Sequence, residues 1–418
     1  MVENSLKFGL FLLPFSADIG LASLIIALLI QWQQHYRQII GYKPHRGLGI
    51  LSLWLIITTI FANKPILALE GLPNFLPGIG LWAAFSLFFQ SFSRLYQLAW
   101  WLVLTSIPLS GLGFAQLKWG WESPLFLRSI GIKLIAYGNP DGRMSSLLMY
   151  ANILAMYLLI NFILSLGLWI YHYGIWREKS SKKAILPLII LTLAVISNGV
   201  GLILTNSRSA WGLTLLAMMA FAFYLRWYWI IGIAMIAVGA VFWSAWVPWG
   251  QETMRQIVPA YFWARLTDEL YDDRYVTALR TTQWQVAWQM MLEKPWLGWG
   301  LRNFTPVYQA KMNVWMGHPH NLFFMLLAEI GIPGTLLFCG LVGRVIFKGF
   351  RQLIEWSSQL GMKRNHLLLF TYLVAFSSCI LFNCFDVTIF DVRVNLLGWF
   401  LLSALSGIIE VAKSEVRT

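Results

Sequence analysis

Charge is scarce in this 418-residue chain: only 12% of its residues are Asp, Glu, Lys or Arg. Soluble domains carry about twice that share. The shortage excludes an ordinary water-soluble fold, and the 58% hydrophobic fraction, arranged in runs from end to end, points to a bilayer as the main solvent. Cysteine is scarce too. Cys339, Cys379 and Cys384 all lie in apolar runs, without a pairing pattern or metal-ligand spacing, so they read as small buried hydrophobes. Nucleotide-binding fingerprints are missing. The Gly-Trp-Gly-Leu-Arg-Asn stretch at 298–303 lacks the following Lys-Ser/Thr and a strand–helix context, which excludes ATP-driven transport on this chain. The zinc-protease and serine-elbow motifs are missing as well, which excludes the common soluble hydrolases. There is no internal repeat or low-complexity segment. The N-terminal stretch lacks a basic region followed by a small-residue cleavage site, so it reads as a retained span rather than a signal peptide. Acidic residues are outnumbered, leaving a net charge of +13. The basic residues are scattered through short loops rather than clustered. That argues against nucleic acid as a partner and suits anionic lipid head groups or a phosphorylated lipid substrate.

What is present is a series of runs long enough to cross a bilayer, for which ~20 mostly apolar residues suffice. Eleven fall at 8–31, 48–63, 74–91, 95–114, 144–172, 184–205, 209–225, 227–247, 320–345, 366–385 and 394–410. Pro14 and Asp18 interrupt the first, which could instead be two short helices, making twelve spans. The expected fold is therefore all-α: a polytopic transmembrane bundle of about eleven or twelve spans with one large extracytoplasmic loop. Its parts would be an N-terminal bundle of about eight spans at 1–247, the loop at 248–319, and C-terminal spans at 320–418.

Lys and Arg placement predicts the sidedness. The loops around 35–47, 94, 176–183, 226 and 344–364, with the C-terminal tail, hold sixteen basic residues. The opposite side holds eight once the long loop is left out. The richer side is expected to be cytoplasmic. The 248–319 loop, Arg208 and the 386–393 loop then share the extracytoplasmic face. Within the long loop the pattern predicts a helix from Thr277 to Lys294, stopped by Pro295, with Trp284, Trp288 and Met291 along its apolar face. Its tryptophans suit an interfacial belt first and sugar stacking second.

Two arginines and a pair of histidines on that face invite chemistry. Arg208 stands between two strongly apolar spans, where an arginine is costly unless it is paired or faces a wet cavity. The neighbouring Asn206, Ser207 and Ser209 suit anion capture, and the plainer alternative is an interfacial snorkelling arginine. Arg280 opens the predicted helix. Its guanidinium fork suits phosphate oxygens, and a salt bridge to Asp268, Asp272 or Asp273 is the simpler role. His318 and His320 would be the two histidines of the outer face, since His35, His45, His172 and His366 fall at the other ends of spans. A metal site is not expected, because two histidines at i, i+2 lack a nearby third ligand and Asp386 and Asp391 are remote in sequence. Acid–base work suits histidine, which titrates near neutral pH. Capping or interfacial histidines are the bland alternative. Glu329 inside the following span needs a partner: it either orients a basic residue or is held neutral.

Three segments together resemble the O-antigen ligase and O-antigen polymerase family of bacterial envelope enzymes. They are Thr-Asn-Ser-Arg-Ser-Ala-Trp-Gly at 205–212; Arg280 with Trp284, Ala287 and Lys-Pro-Trp-Leu-Gly-Trp-Gly-Leu-Arg-Asn-Phe at 294–304; and His-Pro-His-Asn, then Glu-Ile-Gly-Ile-Pro-Gly, within 318–334. Segments 138–143 and 152–155 look similar to it as well. The resemblance implies a membrane-embedded glycosyltransferase of the GT-C type, without a metal or other cofactor. The implied donor is a glycan on undecaprenyl diphosphate and the implied acceptor is another glycan or lipid A core. It further implies that Arg208 and Arg280 bind the diphosphate, that His320 is the general base or orients the acceptor hydroxyl, and that His318 assists. The implied location is the bacterial inner membrane, with the site facing the periplasm. Ligase and polymerase share these motifs. Protein O-glycosylation is a third version. From another class, a secondary transporter of a small anion such as bicarbonate would use the arginines to line its path. Charges inside the spans are few and there is no repeated pair of broken helices, so that alternative has limited support.

Overall fold

A computed structural model describes residues 1–180, 182–267, 276–356 and 363–415. Among them the regular structure is entirely helical, and the helices are α1 (Val2–Leu12), α2 (Ala17–Gly41), α3 (Arg46–Ile60), α4 (Pro65–Gly71), α5 (Leu76–Phe88), α6 (Phe92–Trp119), α7 (Leu125–Arg128), α8 (Ala151–Lys179), α9 (Ile185–Leu204), α10 (Arg208–Tyr224), α11 (Tyr228–Trp246), α12 (Gln251–Ile257), α13 (Ala260–Leu266), α14 (Arg280–Glu293), α15 (Phe304–Met312), α16 (Leu322–Trp356), α17 (Lys363–Phe382) and α18 (Val392–Glu415). The chain is a polytopic helical membrane protein. Nine helical segments among the described residues are long and apolar enough to cross a bilayer. Two of the eleven predicted spans, α3 and α10, form where expected but have 15 and 17 residues, short of the usual spanning length. The first predicted span also differs. The chain breaks at 13–16, so 8–31 is the end of α1 and the beginning of a 25-residue α2 rather than one helix or two short ones.

The core is centred on α8, which is apolar all round. Leu154, Ala155, Leu158, Leu159, Ile163, Leu164 and Leu168 are fully enclosed, as expected of a helix with no polar face. Buried hydrogen bonds tie helices together: Asn198 donates to Ser106 (2.9 Å) and Tyr157 pairs with Thr105 (2.6 Å). At the periphery the pattern inverts. Leu186, Ile189, Leu193, Ile196, Val200 and Ile203 of α9 all face outward, an apolar stripe that water would penalise and lipid would not.

The bundle has two distinct ends. One gathers Arg364 on Glu178 (2.6 Å), Tyr96 on His172 (2.8 Å), Tyr224 on His366 (2.8 Å) and His45 on Ser86 (3.0 Å). The other gathers the 120–150 segment, the start of α10, the 248–319 loop and the 386–391 loop. These are the two sets of loops that the basic-residue count separates. His318 and His320 lie at the second end, and the other four histidines at the first.

Candidate functional site

The second end is anchored by a break inside α16. At Gly331 the backbone leaves the helix (φ 72°, ψ 176°), a conformation restricted to glycine. Pro333 follows and has no N–H for the carbonyl of Glu329. The 295–300 turn supplies what the break removes. Trp299 and Gly300 N–H groups donate to the carbonyls of Ala328 (2.9 Å) and Glu329 (2.8 Å), and Ile332 N–H donates to Pro295 O (2.8 Å). The Gly-x-Gly and Glu-x-Gly motifs are thus two halves of one joint between loop and membrane helix. The enclosed Glu329 carboxyl makes its hydrogen bond to backbone rather than to a basic side chain. It accepts the N–H of Phe304 (3.2 Å), the first residue of α15.

The helix predicted from Thr277 begins at Arg280, and its buried face differs from the expected one. Gln283, Val286, Ala287, Met290 and Met291 face inward, whereas Trp288 is 47% exposed. Trp284 turns sideways instead. Its indole N–H donates to Pro319 O (2.9 Å) and its ring stacks on Phe324. It thereby fixes the His-Pro-His-Asn turn from above. Asn321 fixes the turn from below by capping α16, accepting from Phe323 N–H (2.9 Å) and Phe324 N–H (3.1 Å) while donating to Cys384 O (3.0 Å). Between these anchors His320 takes a left-handed backbone (φ 50°), which is uncommon for a residue with a side chain.

The two histidines meet a carboxylate that is 66 positions away from His320 in sequence. Asp386 Oδ1 lies 3.0 Å from His320 Nδ1 and 3.9 Å from His318 Nε2. Its side chain is only 6% exposed. Oδ1 also accepts Val387 N–H (2.9 Å), and Oδ2 accepts the amide of Asn152 (2.7 Å). Burial alone would raise the carboxyl, but the hydrogen bond from His320, the nearby histidines and Asn152 bring it down to about 2. It is therefore a carboxylate at neutral pH. An ionised Asp386 can only accept, so His320 Nδ1 carries a proton, and in the neutral ring Nε2 presents its lone pair. Among the described residues none hydrogen-bonds that Nε2. His318 accepts His320 N–H on Nδ1 (3.1 Å). Burial, assisted by His320 and Arg280 and opposed by Asp386, holds His318 down at about 4, so it is neutral.

The web continues to the start of α10. Arg143 Nη2 donates to Asn152 Oδ1 (2.7 Å), and its Nε donates to Thr205 O (2.9 Å). An unbroken chain of contacts thus runs from the 205–208 turn through Arg143, Asn152 and Asp386 to His320. Tyr150 stands among the same charges. Burial and Asp386 raise its phenol, while Arg143 and Arg280 oppose them. Arg280, exposed at the first position of α14, therefore acts electrostatically on both His318 and Tyr150. Its suggested partners Asp268, Asp272 and Asp273 lie outside the described residues.

Arg208 is the first residue of α10 and is exposed. It stands at an apolar cavity of about 550 Å³ whose walls include Trp211, Leu215, Val241, Phe242 and Phe262. Tyr261 closes over the turn beside it, donating to Ile203 O (3.1 Å) and to Asn206. His318 borders a second, more polar cavity of about 610 Å³. The structure thus joins His318 and His320 through Asp386, with Arg280 acting on His318 by charge. It places Arg208 at the apolar cavity, three residues after the Thr205 whose carbonyl Arg143 holds.

The third metal ligand that the sequence spacing denies to the histidines is present in space. Ligand atoms of His318, His320 and Asp386 lie within 4.8 Å of one another. Their internal hydrogen bonds compete with such use. Both Asp386 oxygens are engaged, and His318 Nδ1 already takes an N–H, which leaves the proton of its neutral ring on Nε2.

Asp386, Arg143, Asn152 and Tyr150 are the members of the cluster that spacing along the chain does not reveal. The one sequence signal for Asp386 is a carboxylate left between two apolar spans. For Arg143 and Asn152 it is their place in the two less distinctive family-like segments. Residues 192–339 match the family model described as O-antigen ligase. No curated protein matches the chain. The matched segment contains Arg208, Arg280, His318 and His320; Arg143, Asn152 and Asp386 lie outside it.

Proposed function

We propose that this chain, a membrane protein of the O-antigen ligase family, transfers a glycan from an undecaprenyl diphosphate carrier to a glycan or lipid acceptor such as lipid A core. The reaction takes place at the extracytoplasmic face of the bacterial inner membrane, with inversion at the anomeric carbon and without a metal. The Asp386–His320 pair carries the reading: a buried carboxylate holds the imidazole by Nδ1, which leaves Nε2 for the acceptor hydroxyl.

In this reading the acceptor hydroxyl gives its proton to His320 Nε2 as its oxygen bonds to the anomeric carbon. The bond from that carbon to the phosphate oxygen breaks, and the electron pair leaves on undecaprenyl diphosphate. Charge grows on the leaving diphosphate. Arg208 and Arg280 offset it, each worth ~2.7–4 kcal/mol of barrier if it acts like an oxyanion-hole donor. General-base help contributes about 100- to 10,000-fold. His318 steers the turn by accepting the His320 N–H. The apolar cavity beside Arg208 suits the carrier's isoprenoid chain, with the arginine at the phosphate end.

Alanine replacements of Arg208, Arg280 and His320, made separately and assayed by surface-glycan gels at matched protein levels, test the assignment. Loss of transferred glycan is expected in each. Normal glycan length and attachment in all three overturns it. The same gel separates ligase from polymerase. A lost polymerase leaves single repeats on the core, and a lost ligase leaves free lipid-linked polymer.

A further inference from the structure

We infer that the cleft on the far side of His318 is the acceptor subsite, and that it takes a saccharide bearing a carboxylate or phosphate. The inference rests on the glycosyl-transfer reading above and extends it to a surface which that reading leaves unused.

The cleft has a volume of about 610 Å³, within the range of small-molecule sites. Its character differs from that of the cavity beside Arg208. Lys64, Asn74, Arg302, Thr305 and Gln309 give it hydrogen-bonding walls, and Trp315 and Phe390 give it aromatic ones. Trp315 is 69% exposed and lies in the connection between α15 and α16, outside every membrane-length helix. Its ring rests on Gly317, where a Cβ would come within 3.3 Å of the ring edge. Thr305 Oγ1 donates to Gly317 O (3.0 Å) and holds that strip of backbone. The result is a supported, upright aromatic face beside polar groups, the arrangement that a sugar ring uses: C–H groups on the ring, hydroxyls on the polar wall.

The charge is one-sided at the lining. Lys64 is exposed. Arg302 pairs with Glu70 at 3.5 Å, with both side chains about half exposed. An anionic sugar therefore finds two cations, one of them only loosely engaged by a carboxylate. Position decides which substrate enters. His318 is part of the cleft wall and its ring stacks on Phe390 (5.7 Å, 20°), while its Nδ1 holds the N–H of His320. A saccharide in the cleft thus abuts the Asp386–His320 pair. The isoprenoid part of the donor needs an apolar groove, which α10 and α11 provide elsewhere. The polar cleft is left for the partner that supplies the attacking hydroxyl.

The test uses the full chain in lipid nanodiscs. Binding of a short hexuronic-acid oligosaccharide and of its neutral hexose counterpart is measured by calorimetry, alongside turnover of lipid-linked glycan. Trp315→Ala is expected to weaken both oligosaccharides about tenfold, as for a Trp hot spot, with Trp315→Phe partly restoring them. Lys64→Ala is expected to weaken only the acidic one, about two- to fivefold. In turnover, both variants raise the KM for acceptor and leave the KM for donor unchanged. Unchanged binding in Trp315→Ala makes this residue a belt tryptophan and overturns the inference. So does a rise in donor KM with acceptor KM fixed. Equal losses of acidic and neutral sugar in Lys64→Ala overturn the anionic assignment. His320→Ala separates the two readings. It should abolish turnover and keep oligosaccharide binding. If it turns over normally while Trp315→Ala loses binding, the catalytic reading fails and the acceptor subsite stands.

Discussion

Replacing Asp386 with Asn changes one oxygen to NH₂, and the hydrogen bonds around it set the cost. The wild-type carboxylate accepts three N–H groups, from His320 Nδ1 (3.0 Å), Val387 (2.9 Å) and Asn152 (2.7 Å). An amide has only one oxygen. If it faces Asn152, its NH₂ confronts His320 Nδ1. The ring must then carry its proton on Nε2, where it cannot take one from a hydroxyl. If it faces His320, two amide NH₂ groups meet at the Asn152 side, and the link to Arg143 is strained. A wrong tautomer in the comparable serine-protease triad costs about 10,000-fold in kcat, and general-base contributions span about 100- to 10,000-fold. The expected loss in Asp386→Asn is thus about 100- to 10,000-fold in turnover, or about 3–5 kcal/mol, with KM for donor and acceptor little changed. The assay is turnover of lipid-linked glycan by purified protein, for Asp386→Asn, His320→Ala and the double variant. Residues acting as one unit are non-additive. The double variant should be no slower than His320→Ala by more than a few-fold. Full activity in Asp386→Asn, or losses that multiply in the double variant, refute the pairing.

Three further outcomes are expected from the same geometry. Gly331→Ala places a Cβ at 2.2 Å from Trp296 O in a backbone reserved for glycine; destabilisation of about 3 kcal/mol or more is expected in detergent denaturation. Glu329→Gln keeps an acceptor for Phe304 N–H and should remain near wild type, whereas Glu329→Leu strands that donor and should cost ~1–3 kcal/mol in the same measurement. The folded protein holds His318 at about 4 against 6.5 for the free side chain. A lowered histidine stabilises the fold above the unfolded value, and that stability fades as pH falls from 6.5 towards 4. About 3 kcal/mol should disappear over that window, read as a falling denaturation temperature. His318→Asn should flatten the slope there, and Asp386 would not mask the change because its own loss begins only below 3.8.

The spans were legible because a bilayer demands apolar length, which composition reports directly. The break near Pro14 was legible for the same reason, but its consequence was not: the second helix reaches Gly41 because the polar residues after Gln31 lie at the bundle's end, where charge is tolerated. Periodicity put Met291 correctly on the buried face of α14 but misplaced the two tryptophans. Tryptophan counts as apolar in any pattern, yet Trp284 spends its indole N–H on Pro319 and Trp288 looks outward, so the short residues Val286 and Ala287 make the contact. The histidine turn was visible as a local motif. Its carboxylate was not, because Asp386 reaches it only once α16 and α17 stand side by side, a relation that no spacing along the chain encodes. The same holds for Arg143, which meets Thr205 across 62 positions.

The joint at Gly331 also bears on how water reaches the site. Three amide hydrogens that belong to a loop by sequence, or to a broken helix, are locked across an interface: Trp299, Gly300 and Ile332. Lifting the loop would expose the carbonyls of Ala328 and Glu329 at membrane depth, where no solvent compensates them. The 295–300 turn is therefore part of the membrane scaffold rather than a lid. These three amides should exchange with deuterium as slowly as those of a continuous transmembrane helix. Solvent and substrates must reach His320 by a route that leaves this seam closed.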